Sequence, residues 1–145
     1  MSVETNKAVV LRFLEEFWNS KKLEVLEELV DPAFVNHDPS NPDVRYREDL
    51  KQFAITVATA FPDAHITQED MIGEGDKVAK RWTFRGTHRG PFLGIAPTDR
   101  HVEFTGTETY RIVNDRIVEL WWNWDVLSLM RQLGAIPEMA MVGTR

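Results

Sequence analysis

Near Ala64 the spacing of apolar residues changes from a helical period to a period of about 2, which divides the chain into a helical first part and a stranded second part. Before that point, Val10, Phe13, Leu14, Phe17 and Trp18 fall on one face of a helix over residues 3–18. Ser2 is placed to cap it, and Glu4 sits favourably near the positive end of its dipole. A second helix over residues 22–30 carries Leu23, Leu26 and Val30, and Pro32 stops it by disfavouring the α conformation at Asp31. A third over residues 46–61 carries Leu50, Phe53, Ala54, Val57 and Phe61 and ends at Pro62. Between the second and third helices, Phe34-Val35 reads as a short strand or extended segment, and Pro39 and Pro42 force a loop.

After Ala64 the pattern gives strands over residues 64–72, 77–88, 100–113 and 116–124. Gly73-Glu74-Gly75-Asp76 is a turn between the first two. Asn114-Asp115 is a two-residue hairpin loop between the last two, because Asn and Asp tolerate positive φ. Residues 89–99 form a loop with an apolar centre of Phe92, Leu93 and Ile95, expected to fold back as a lid or to pack on a neighbour. A short helix from Val126 to Leu133 follows, with Gly134 as its C-cap, and no structure is assigned beyond Pro137. Helices segregated from an antiparallel sheet mean an α+β fold. The expected architecture is a cone: four long strands plus a short one, curved around a cavity and packed on three N-terminal helices. With 145 residues and neither repeat nor linker, a single domain spans residues 1–145.

Composition removes several classes of function. There is no cysteine, so disulfides, thiol catalysis and Cys-ligated metals are out, and a reducing, cytoplasmic setting is expected. A formal net charge of -6 disfavours nucleic acid and anionic membranes as partners. His37, His65, His88 and His101 show no metal-ligand spacing, so no metal is expected. A neutral small molecule or another protein is left as partner, and an apolar or aromatic substrate is expected.

Asp125 is the first candidate for chemistry. It ends a strand that carries Trp121, Trp122 and Trp124, and a carboxylate held against an indole has a raised pKa suited to proton exchange. The same position suits an N-cap for the final helix, a role that lowers the pKa instead. Regular alternation along this strand places Glu119, Trp121, Asn123 and Asp125 on one face, with Trp121 opposite Glu108 and Glu119 opposite Tyr110. A β-bulge would break that register. Trp122 and Trp124 then face the other way, where a homodimer or larger homo-oligomer is expected to bury them. His37, in Asn36-His37-Asp38, is placed to orient a substrate oxygen, to share a proton with a carboxylate, or to bond backbone as an ordinary loop histidine. His88, Trp82 and Phe92 are further pocket candidates.

These residues resemble the SnoaL-like polyketide cyclases, or ester cyclases, within the nuclear-transport-factor-2-like fold. The resemblance rests on Phe34-Val35-Asn36-His37-Asp38-Pro39, Arg81-Trp82, Gly86-Thr87-His88 with Gly90, Phe92 and Gly94, Arg111-Ile112, Ile117-Val118-Glu119 with Trp121 and Asp125, and Gln132-Leu133-Gly134. It implies a cone with a deep apolar cavity and an intramolecular aldol closure of a polyketide-derived ester without metal or cofactor. It further implies that Asp125 is the general acid/base and that His37 and Trp121 position or line. Related isomerases, dehydratases and epoxide hydrolases, or a non-catalytic binding module on the same cone, are the alternatives.

Overall fold

In the computed structural model, residues 2–136 are described. Helix α1 (Val3–Arg12) starts in a reciprocal cap: Ser2 Oγ accepts from the Thr5 amide at 3.0 Å, and Thr5 Oγ1 accepts from the Ser2 amide at 3.1 Å. It continues as a π-helical segment, Phe13–Asn19, which buries Phe13, Leu14 and Phe17. Asn19 closes that end, its side-chain amide exchanging two 2.9 Å bonds with the Ile66 backbone. Helix α2 is short (Val25–Leu29), and Val30 is already extended two residues ahead of Pro32. The strand expected at Phe34-Val35 is therefore longer: β1 is Val30–His37.

Helix α3 (Arg47–Ala60) is followed by β2 (His65–Glu74), β3 (Lys77–Thr87), β4 (His101–Val113), β5 (Arg116–Trp124) and α4 (Val126–Gln132). Strand order is β1-β5-β4-β3-β2. The sheet is mixed rather than wholly antiparallel, since β1 runs parallel to β5. It is curved and unclosed, and the α+β cone with helices over its concave face is as expected. Two clusters fill the space between. One joins α1, α2 and α3 to Val78, Tyr110, Ile112, Ile117 and Leu120; the other joins Val57, Ala60 and Phe61 to Trp82, Phe84, Phe104, Leu129 and Leu133.

The β4–β5 hairpin sets which side chains face inward. Asn114 (φ 52°) and Asp115 (φ 63°) are both left-handed, as a type I′ loop requires, and Val113 pairs with Arg116. Ile112 pairs with Ile117, but Arg111 pairs with Glu119, so Val118 is a one-residue bulge. Beyond it every partner differs from regular alternation: Tyr110 faces Leu120, Glu108 faces Trp122 and Gly106 faces Trp124. The expected pairs Glu108–Trp121 and Tyr110–Glu119 do not form, because one extra residue turns each later side chain to the opposite face. Burial follows the new phase, with Ile117, Leu120 and Trp122 inside and Glu119 and Trp121 partly exposed.

Gly106 lies opposite Trp82 on β3. A Cβ at this position would sit 2.2 Å from Trp82 Cζ2, so the bare backbone is what lets the indole lie flat against the sheet. Gly106→Ala is expected to push Trp82 out of its rotamer and cost about 1–3 kcal/mol. Urea unfolding measures the loss, and a shift in tryptophan emission reports the displaced ring.

Candidate active site

The inner faces of β3, β4 and β5 form a ladder of rungs. Phe84 pairs with Phe104; Trp82 pairs with Gly106, which pairs with Trp124; Lys80 pairs with Glu108, which pairs with Trp122. Leu14 and Trp18 from the first helix, and Phe53, Val57 and Phe61 from or just after α3, close over them. The cavity between has a volume of about 60 Å³. Its wall is a continuous set of ring contacts: Phe84 stacks on Phe104 at 4.7 Å, Trp124 lies 5.7 Å from Phe104, and Phe53 lies 5.8 Å from Trp122.

The loop over residues 89–99 completes the enclosure. The amides of Arg89 and Gly90 both donate to Ala60 O, at 2.8 and 3.1 Å. Phe92 and Ile95 exchange backbone bonds across Leu93 and Gly94, both at positive φ. Phe92 is thereby buried against Phe53, Phe61 and Trp124.

Two charged side chains interrupt the aromatic lining. Lys80 Nζ lies 3.4 Å from Glu108 Oε1, and both side chains are more than nine-tenths buried. Tyr110 Oη donates to the same oxygen at 2.5 Å, and Lys80 Nζ sits 5.5 Å from the Tyr110 ring centroid. Among the described residues no hydrogen bond reaches Glu108 Oε2. Burial pulls the Lys80 ammonium below its ordinary range, against the opposing pull of Glu108. Burial first, and then the Glu108 charge, holds the Tyr110 phenol well above its ordinary value, so it stays a donor at neutral pH. Trp82 and Trp122 also line the cavity, and their indole N–H groups have no partner among the described residues. Trp124 differs: its N–H donates to Asp38 at 3.0 Å.

The residues singled out in the sequence separate into three places. Glu108, Trp82 and Phe92 line the cavity, and Tyr110 is fully buried against Glu108. Trp121 and His37 are on the outer face, where their rings stack at 5.3 Å. His37 Nε2 is 2.7 Å from Glu119 Oε2, and Arg111 reaches Glu119 Oε1 at 3.3 Å and lies over the Trp121 ring. The third place is the cavity's periphery. Asp125 is exposed and caps α4, its Oδ1 accepting from the Ser128 amide at 3.0 Å. His88 is fully buried, and its Nδ1 accepts from the Thr98 amide at 3.2 Å, which puts the proton on Nε2 and makes the ring an anchor for the 89–99 loop.

Within Asn36-His37-Asp38, the two flanking residues turn inward. Asn36 Nδ2 donates to Val44 O at 2.8 Å, and Asp38 accepts from Ser40, Asn41 and Trp124. Lys80, Trp122 and Trp124 were missed as cavity residues. For Lys80 a signal was present, since Val78, Lys80, Trp82 and Phe84 share one face of an alternating strand. For the two tryptophans the bulge concealed it.

A sequence profile described as SnoaL-like polyketide cyclase matches residues 8–133. The chain belongs to the SnoaL-like polyketide cyclase family. IdmH of Streptomyces antibioticus, described as a candidate polyketide cyclase, is 34% identical; the match covers 89% of this chain and 98% of that one, with a TM-score of 0.78. AclR of Streptomyces galilaeus, described as a candidate hydroxylase, is 28% identical over 98% of this chain and 88% of its own, with a TM-score of 0.84. A candidate SnoaL-like polyketide cyclase from Jannaschia sp. CCS1 is 26% identical over 92% and 94%, also at 0.84. No curated protein matches the chain. No helix among the described residues is long and apolar enough to cross a membrane.

Two predictions follow from these charges. Lys80→Met strands a buried carboxylate and is expected to cost about 3–5 kcal/mol, whereas Lys80→Met with Glu108→Gln costs less than the single change. Urea unfolding of the wild type, Lys80→Met, Glu108→Gln and the double variant closes that cycle. On the outer face, hydrogen bonds from His37 and then Arg111 hold the Glu119 carboxyl below its ordinary value. A depressed folded-state pKa gives stability that is present above the unfolded value and lost as pH falls through the folded one. Glu119→Gln is therefore expected to flatten the acid limb of a stability–pH profile below the ordinary carboxylate range, which urea unfolding across that range measures.

Proposed function

We propose that this protein catalyses a cofactor-independent, intramolecular aldol-type ring closure of a polyketide-like ester, with Glu108 in the acid/base role that family resemblance gives to Asp125. The observation that carries this reading is that Glu108 is the one carboxylate lining the aromatic cavity among the described residues, and that its Oε2 is unbonded there. A conjugated polyketide lies between the rings of Phe84, Phe104 and Trp122. Glu108 Oε2 takes a proton from a carbon between two carbonyls, and the resulting enolate attacks a ketone in the same molecule. Glu108 returns the proton to the new alkoxide, so one C–C bond forms and no atoms are lost. Lys80 is a donor beside Glu108 in the lining, which suits an oxygen that gains charge on the way. Fixing one chain in a folded pose between rigid walls supplies much of the acceleration.

The capping of α4 by Asp125 favours a second reading, a binding module without turnover. One experiment separates them. Aromatic polyketide methyl esters bearing a 1,3-dicarbonyl side chain are incubated with the protein, and chromatography with mass detection follows cyclised isomers of unchanged mass. The expected result is cyclisation by the wild type and a loss of about 10²–10⁴-fold in Glu108→Gln. Asp125→Ala is expected to retain turnover while losing about 1 kcal/mol of stability with its cap. Turnover surviving in Glu108→Gln but lost in a folded Asp125→Asn would return the role to Asp125. Ligands that bind without isomerising would favour the binding module.

A further inference from the structure

Lys80 is not explained by an acid/base role for Glu108. An ammonium has three donors, and here its one ion pair among the described residues is with Glu108 Oε1 at 3.4 Å, beside the Tyr110 ring 5.5 Å away. Tyr110 also donates to that oxygen at 2.5 Å, but a neutral phenol brings no countercharge, which Lys80 supplies. A countercharge alone could come from outside the cavity, whereas Lys80 is 3% exposed, at the middle of a strand whose neighbouring inward residues are Val78 and Trp82, and its side chain lines the ligand space. Trp122 lies on the same rung and Trp82 on the adjacent one, so the Lys80–Glu108 pair is set in an otherwise aromatic wall. A ligand with an aromatic body and one carbonyl group suits such a wall.

We propose that Lys80 is a carbonyl-reactive amine that forms an imine with a ketone or aldehyde group of an aromatic ligand held in this cavity. The Lys80 ammonium first gives one proton to Glu108, leaving a neutral amine and a neutral acid, a pair that an apolar surround tolerates better than water does. The amine lone pair attacks the carbonyl carbon, forming the C–N bond, and the carbonyl oxygen takes up a proton to give a carbinolamine. Loss of the hydroxyl with a second proton releases water and leaves the C=N bond. Nothing is oxidised or reduced. The depressed ammonium pKa that burial causes adds to the supply of free amine. Once formed, the protonated imine withdraws electrons from the adjacent carbon, so that its C–H becomes more acidic beside Glu108.

Reductive trapping tests this on the wild-type chain. The protein is incubated with 2-naphthaldehyde and sodium cyanoborohydride, digested, and mapped by mass spectrometry for the naphthylmethyl amine adduct. The chain has lysines at 7, 21, 22, 51, 77 and 80, so the map itself assigns the site. The expected result is an adduct on Lys80 at more than ten times the occupancy of any other lysine. Lys80→Arg, which keeps a positive charge toward Glu108 but has no nucleophilic amine, is expected to lose that adduct. Label confined to other lysines, or no adduct at all, overturns the proposal. The readout is a covalent bond rather than turnover, so an adduct on Lys80 stands even if the acid/base reading of Glu108 fails, and its absence leaves that reading intact.

Discussion

One residue, Val118, decides which face of the last strand looks at the cavity. The type I′ loop at Asn114-Asp115 starts the hairpin in one phase, and the bulge advances it by a single position. Side chains in a sheet alternate with a period of 2, so an advance of one exchanges the two faces completely. The cavity consequently takes Trp122 and Trp124, while Trp121 and Glu119 go outside. The rest depends on this choice. Glu108 acquires Trp122 as its neighbour, Gly106 acquires Trp124, and β1 docks with His37 stacked on an outward Trp121.

The outer arrangement explains a motif that reads as chemical in the sequence. His37, Glu119, Arg111 and Trp121 join β1, β4 and β5 through one stack, one short imidazole–carboxylate contact and a guanidinium bond. This is the only parallel pair in the sheet among the described residues, and parallel pairing is slightly the weaker kind. Asp38 works from the same loop on the inner side, orienting Trp124 by its indole N–H. The Asn36-His37-Asp38 triplet thus braces both faces of the sheet.

The fold was legible because its signals are local and repeated. A clean stripe such as Leu50, Phe53, Ala54, Val57 and Phe61 specifies a helix, and the Asn-Asp pair specifies a hairpin. Strand β1 was read short because Pro32 is normally a break, yet it is accommodated near the start of a sheet-edge strand. The site was legible only in part. Trp82 and Phe92 were named from β3 and from a loop, which the bulge does not affect, whereas Glu108 was named through a pairing with Trp121 that does not form. A bulge has no reliable composition of its own: Ile117-Val118-Glu119 reads as continuous strand, and only the pairing with Arg111 and Ile112 reveals the extra residue. Lys80 was overlooked for a different reason, since a charged residue between apolar neighbours is normally assigned to solvent.

Gly106 shows how an absent side chain determines the cavity's dimensions. Trp82 occupies the volume that any other residue there would claim, so the depth of the aromatic floor is adjustable at a single site on β4. A larger residue would raise the floor, and a smaller one on β3 would lower it, without disturbing the hairpin register or the outer brace. Such a scaffold can change the girth of the molecule it accepts while keeping its charged pair in place, and selection on ligand size can therefore proceed separately from selection on chemistry.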